Sequence, residues 1–285
     1  MGRIANGAAD GIDGTIAIDL NEERSFLKMM NPHTLRISRL SWAGVKIEAG
    51  DEQFVLDAIE GRDGQVHARI GPARRPLLAL SGGERPLDVA VVTHLHLDHF
   101  DAEALKRRLA PHGRVVAPVR AAAEVERAGL PVIGVADGET VALGCFRLTA
   151  LPAVDGFGAV QSSWLVEAGG ARVFHGGDTL FHGYWWEIAK VAGEADVAFL
   201  PINGARIAIP GMEATGLPGV MSAEQAAVAG RLLKARLVGP IHYEEFNSPP
   251  VYRPDPDAET SFLDHSARQG VTSRLFAAGD TVLAA

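Results

Sequence analysis

The stretch VVTHLHLDHFD, Val91 to Asp101, carries three histidines and two aspartates directly behind a run of apolar residues. In an extended segment, side chains two apart point the same way. His94 and His96 can therefore converge on one cation, while Asp98 and His99 at the following turn can reach a neighbouring one. Neutral imidazoles joined by a carboxylate are typical ligands of borderline divalent metals. Polar decoration of a loop is the bland alternative, and it does not account for four donors at these offsets.

The surrounding pattern places this cluster on a strand-to-helix loop. LDVAVVTH is a continuously apolar strand, and DAEALKRRLAP opens with an Asp suited to N-capping and ends at PHG. Upstream, TLRISRLSWAGVKIEAG and EQFVLDAI alternate apolar and polar residues around a Gly turn, which predicts half-buried strands in an antiparallel meander. Downstream, RVVAPV reads as strand, AAAEVERAG as a helix closed by glycine, and ETVALGCFRLTALPA, SSWLVEAGGARVFHGGD and ADVAFLPI as further strands. SAEQAAVAGRLLKA opens with a capping box, Ser222 and Gln225, and precedes the strand RLVGPIHY. Strands and helices occur in both halves of the chain, so the expected class is α/β. Residues 1–33, rich in Gly, Asn and Asp, read as an N-terminal extension with a short helix around NEERSFLKMM.

Composition removes several function classes. The 285 residues are 47% hydrophobic and 22% charged, ordinary for a globular protein. A formal charge of -8 gives no footprint for a polyanion, and the basic clusters ARRP and LKRRL are too short to track a phosphate backbone, so no nucleic-acid partner is expected. The single Cys145 has no internal disulfide partner and sits in an apolar run as a core residue. There is no signal-peptide pattern at the start and no run of about 18 apolar residues to span a membrane. The expectation is a cytoplasmic protein acting on a small-molecule substrate, with a homo-oligomer left open.

HLHLDH matches the HxHxDH motif of the metallo-β-lactamase superfamily, and LPAVD, HGGDT and PIHYEEF resemble its later metal-binding motifs in the same order. The resemblance covers residues 34–285 and implies a four-layer αββα sandwich of the metallo-β-lactamase type, with the metal centre at one edge between two sheets. HYEEF and GGDT look most like the branch of ascorbate-phosphate lactonases and phospholipase D-type hydrolases. Carried over by position, the resemblance makes His94 and His96 ligands of the first metal and Asp98 and His99 ligands of the second. Asp178 would bridge both ions, and His242 would complete the second site. The implied cofactors are two divalent ions, zinc foremost, with manganese or iron as alternatives.

One position departs from the pattern. Where the superfamily reads PAxH, this chain has Pro152, Ala153, Val154 and Asp155. Asp155 is expected to ligate through a carboxylate in place of the imidazole; the alternative is that it merely caps the DGFG turn. In the same alternative His182 is a substitute ligand or a substrate contact, against the plainer reading that a lone loop histidine is neither. His175 reads as structural, and Trp185 and Trp186 either line a substrate mouth or anchor a helix start to the core.

The reaction implied is hydrolysis of a small ester, lactone or phosphate-bearing metabolite by a metal-bound hydroxide, with Asp98 orienting the nucleophile and Asp178 holding the bridge. Two other readings share the site: a phosphodiesterase of phospholipid or nucleotide substrates, and a catalytically degenerate metal-binding protein.

Overall fold

The computed structural model describes residues 35–284 apart from 63, 79, 81–84, 209, 210 and 212. The expected N-terminal extension and its helix around residues 21–30 lie outside the described residues. Two sheets dominate. The first has seven strands, in the order β15 (Thr281–Ala284), β1 (Leu35–Arg39), β2 (Val45–Ala49), β3 (Glu52–Leu56), β4 (Leu87–Val91), β5 (Leu109–Pro118) and β6 (Val132–Val135). The second has six, in the order β13 (Val238–Ile241), β11 (Val197–Pro201), β10 (Ala171–His175), β9 (Ser162–Ala168), β8 (Phe146–Pro152) and β7 (Thr140–Leu143). The short strands β12 (Arg206–Ile207) and β14 (Tyr252–Arg253) form a separate pair.

Side-chain alternation explains how four layers form. Phe54, Leu56, Val89, Val91 and Val116 of the first sheet meet Leu148, Trp164, Val166, Val173 and Phe199 of the second in one core. Their immediate neighbours point the other way, as strand geometry requires. Val55, Ala90, Val115 and Ala117 pack with residues of the helices α2 (Ala102–Arg108) and α3 (Ala122–Arg127). On the far side, Leu165, Phe174, Ala198 and Leu200 pack with α4 (Trp185–Ala192), α5 (Ala223–Leu232) and α6 (Ala258–Gln269). The result is the αββα sandwich.

The meander β1-β2-β3 is antiparallel as expected. From β3 to β6, and across β10, β11 and β13, neighbouring strands run parallel. Five strands therefore release their chain at one edge: Asp57 follows β3, His94 follows β4, Asp155 follows β8, Asp178 follows β10 and His242 follows β13. Carboxyl ends of strands gathered at one edge are where α/β sheets place ligands. The edge is tied across the two sheets by Ser162 N–H to Thr93 O (3.1 Å) and by the Trp164 indole N–H to Val92 O (3.2 Å).

Some elements differ from the sequence reading. Asp101 does cap α2, accepting from Ala104 N–H at 2.9 Å, but the helix passes straight into β5 at Leu109 rather than ending at PHG. A register shift between Leu87 and Val89 takes up the extra residues, and at Gly113 a Cβ would stand 2.7 Å from Leu87 O, so only glycine fits there. A short helix, α1 (Gln65–Ile70), breaks the long segment between β3 and β4. The helix α6 was not read from the sequence, because its buried stripe is Ala258, Phe262 and Ser266, with a single large apolar side chain. The capping box of α5 is present in both directions.

Candidate metal centre

Seven side chains meet at this edge in two groups. His94, His96, Asp155 and Asp178 form one, and Asp98, His99 and His242 the other, with the donor atoms of each group within 4.8 Å of one another. Asp178 faces both. Its Oδ1 lies 3.6 Å from His94 Nε2, and its Oδ2 lies 4.0 Å from His99 Nε2. In the second group, Asp98 Oδ2 is 3.7 Å from His99 Nε2 and 3.5 Å from His242 Nε2. His96 is the exposed member, with 38% of its side chain accessible, so the centre opens past it to solvent.

The tautomers are fixed by neighbours. The Thr93 hydroxyl donates to Asp57 Oδ2 at 2.6 Å, so its oxygen must accept from His94 Nδ1–H at 2.9 Å, leaving the His94 Nε2 lone pair facing the cluster. His99 Nδ1–H likewise donates to Asp57 Oδ2 at 2.7 Å, which turns Nε2 inward. The backbone N–H of Thr93 donates to Asp57 Oδ1 at 2.8 Å. One buried carboxylate thus orients an imidazole from each group. Asp57 adopts φ 46°, a left-handed conformation that Asp tolerates better than most residues.

A second unforeseen support is Trp42, in the turn between β1 and β2. Its indole N–H donates to Asp98 Oδ2 at 3.0 Å, its ring packs 4.1 Å from that of His242, and its carbonyl accepts His242 N–H at 3.1 Å. Asn203 Oδ1 lies 3.4 Å from His242 Nδ1. With its side-chain amide turned over, the orientation its neighbours favour, Gln161 donates to Asp178 Oδ1 at 2.6 Å and accepts from Thr179 N–H at 3.1 Å. Asp57 did carry a signal, as the carboxylate that closes the alternating strand EQFVLD. Trp42, Asn203 and Gln161 carried none, since their partners are distant in sequence.

Asp155 caps its turn with one oxygen and leaves the other facing the cluster. Its Oδ1 accepts the N–H groups of Phe157 (2.7 Å) and Ala159 (2.9 Å), capping the turn. Its Oδ2, buried and without a hydrogen-bond partner among the described residues, lies 3.6 Å from His96 Nδ1. His99 Nε2 and His242 Nε2 are likewise buried without a partner. Buried polar atoms are rarely left unpaired, and three unpaired donor atoms aimed into one cluster of imidazoles and carboxylates fit divalent cations. His175 belongs elsewhere, donating to Ala43 O at 2.8 Å and accepting from Gly177 N–H. His182 accepts Tyr184 N–H and stacks on Trp185, outside both groups. Trp185 is buried as a helix anchor, whereas Trp186 is exposed.

Without a cation the cluster is electrostatically divided. Burial alone would lower His99, but Asp98, Asp57 and Asp178 outweigh it and raise its pKa to about 10. Burial lowers His242 to about 4 against the pull of Asp98, and burial with the neighbouring imidazoles holds His94 well below its usual value. Burial raises Asp178 well above the carboxylate range, offset in part by His99 and reinforced by Asp155, Asp98 and Asp57. Asp98 is held low despite burial, by His99 and His242.

The profile of the Beta-lactamase superfamily domain matches residues 52–243. The chain belongs to the metallo-β-lactamase superfamily. A UPF0173 metal-dependent hydrolase of Thermus thermophilus is 31% identical over 232 residues, covering 77% of this chain and 92% of that relative. Together these make the chain a metal-dependent hydrolase of the superfamily. Among solved structures, a metallo hydrolase from the archaeon Ignicoccus hospitalis aligns with TM-score 0.62 at 21% identity, over 87% of this chain and 97% of that one. A diiron β-hydroxylase from Streptomyces venezuelae aligns with TM-score 0.65 at 17% identity, over 88% of this chain and 54% of that one. These two likenesses show the superfamily fold.

Two outcomes follow for this superfamily member. Asp57→Asn, which keeps the shape but places an amide where a carboxylate oxygen accepts, is expected to weaken metal affinity about 10–100-fold; competition with a chromophoric chelator measures this, and unchanged affinity contradicts the orienting role. His99 at neutral pH carries a proton that must leave before Nε2 can bind a cation, because its raised value near 10 lies above the solution pH. Metal uptake is therefore expected to release protons and to tighten as pH rises toward that value. Calorimetry of metal binding in buffers of different ionisation enthalpy reads the proton count, and a buffer-independent enthalpy argues against it.

Proposed function

We propose that the chain is a dinuclear hydrolase of a small ester, lactone or phosphate-bearing metabolite, and that its first metal is held by His94, His96 and Asp155, its second by Asp98, His99 and His242, with Asp178 between them. The observation that carries this reading is the Asp178 carboxylate, whose two oxygens face one group each. Two cations so placed would supply Lewis acidity, ionising water near neutrality, polarising the scissile group and taking up charge in the transition state.

The residues of the chain account for the remaining steps. Trp42 N–H and His242 converge on Asp98 Oδ2, which fixes the carboxylate so that it can orient the attacking water. Gln161 holds Asp178 in the bridging position. The substrate approaches past His96. Beside Asp155, a cavity of about 250 Å³ lined by residues including Arg120, Asp137, Ala153 and Gln161 has room for a small molecule, and its lining offers charges of both signs to a polar one. The motifs HYEEF and GGDT support a place near the ascorbate-phosphate lactonase and phospholipase D-type branch. No helix among the described residues is long and apolar enough to cross a membrane, and a cytoplasmic site of action is part of the proposal.

Chelation is expected to abolish hydrolysis of a generic ester such as p-nitrophenyl acetate, and added zinc or manganese to restore it. Asp178→Ala should lower kcat by roughly a hundredfold or more, as loss of a group that positions the reacting centre does, whereas His182→Ala should change it only a few-fold. Full turnover after verified metal removal, or equal losses in the two folded variants, contradicts the assignment.

A further inference from the structure

The two short basic clusters, ARRP and LKRRL, are far apart in sequence but meet in the fold around Glu60. The buried Glu60 carboxylate receives Arg107 at 3.0 Å, Arg108 at 3.4 Å, Arg62 at 2.9 Å and Leu80 N–H at 3.1 Å. Three guanidinium groups thus offset the charge of this one carboxylate. Glu60 lies in the lining of a cavity of about 480 Å³, together with Arg62, Arg74, Arg75 and His67, and with Pro72 and Leu77 among the apolar wall residues.

Arg62 is paired with Glu60, whereas Arg74 and Arg75 are poorly compensated. The Arg74 side chain has no ion pair among the described residues. Among the described residues Arg75 pairs only with Glu244 Oε1, at 3.9 Å, and the other oxygen of Glu244 is held by the buried Arg39 at 3.1 Å. His67 Nδ1 accepts Ala73 N–H at 3.3 Å, so its Nε2 carries the proton and adds a donor. In a chain of net charge -8, the cavity gathers three guanidinium groups against the one carboxylate of Glu60 around a concave space. No metal-centre side chain lines it.

We propose that this cavity is a second site, separate from the metal centre, that binds the phosphate group of a small phosphorylated molecule. Guanidinium forks match the oxygens of a phosphate, and several of them match its double charge better than the single charge of a carboxylate. The volume lies within the range of small-molecule sites, so Pro72 and Leu77 can pack against an organic part. Glu60, itself part of the lining, preorganises the site by holding Arg62 in place.

The test is calorimetric titration of the full chain with glucose 6-phosphate, inorganic phosphate and acetate at physiological salt. Glucose 6-phosphate is expected to bind, acetate not, and inorganic phosphate to bind if the phosphate alone suffices. Arg74→Ala with Arg75→Ala should weaken binding by at least about tenfold, since two charge-assisted contacts are lost. Both residues are exposed, so folding is not at risk. His96→Ala at the metal centre and a control pair elsewhere on the surface, Arg127→Ala with Arg268→Ala, should leave it within about twofold. Three results overturn the proposal: no binding of either phosphate up to about 10 mM, binding that survives in the Arg74 and Arg75 variant, or an equal loss in the control pair. Loss in the His96 variant alone places the phosphate at the metals instead, which overturns this site while leaving the hydrolase reading intact.

Discussion

The centre depends on one carboxylate that touches no proposed metal position. Asp57, at the end of β3, accepts Thr93 N–H on one oxygen and Thr93 Oγ–H with His99 Nδ1–H on the other. Through Thr93 it also sets the proton of His94. Removing it would leave three buried donors unpaired, at about 1–3 kcal/mol each, and would free two imidazoles to rotate. The parallel pairing of β3 and β4 makes the contact available, because it brings the two strand ends side by side, with Asp57 N–H bonded to Val91 O at 3.0 Å. The sheet register thus carries through to the tautomers of His94 and His99.

The chemistry was legible in the sequence to the extent that it was local. HLHLDH sits on a strand-to-helix loop because LDVAVV is apolar on both faces and Asp101 caps the next helix, and each feature can be read within a few residues. The alternation in β1 to β3 and the capping box of α5 were legible for the same reason. What escaped was non-local. Trp42 lies 56 positions from the Asp98 oxygen it bonds, and nothing in RLSWAG marks that partnership. The short helix α1 begins at Gly64 with φ 73°, where neither a side-chain cap nor apolar periodicity announces it.

Asp155 shows why a departure from a family motif needs geometry to interpret. A carboxylate has two oxygens, and here one is consumed by the Phe157 and Ala159 amides while the other is left buried beside His96. An imidazole at this position, with one ring nitrogen given to ligation, would have a single nitrogen left for the turn. The exchange therefore stiffens the loop while keeping a donor in the proposed first metal site. It also makes that site more anionic and oxygen-rich, a character that suits manganese or iron better than a site of three imidazoles does.

The central claim is that seven side chains form two adjoining cation sites sharing Asp178. The most direct measurement is anomalous X-ray scattering, at the edge of the bound metal, from crystals of the metal-loaded protein. The account predicts two peaks, one coordinated by His94, His96 and Asp155 Oδ2, the other by Asp98, His99 and His242, with one Asp178 oxygen on each. A single peak, or a filled first site from which the Asp155 carboxylate is turned away, would contradict it.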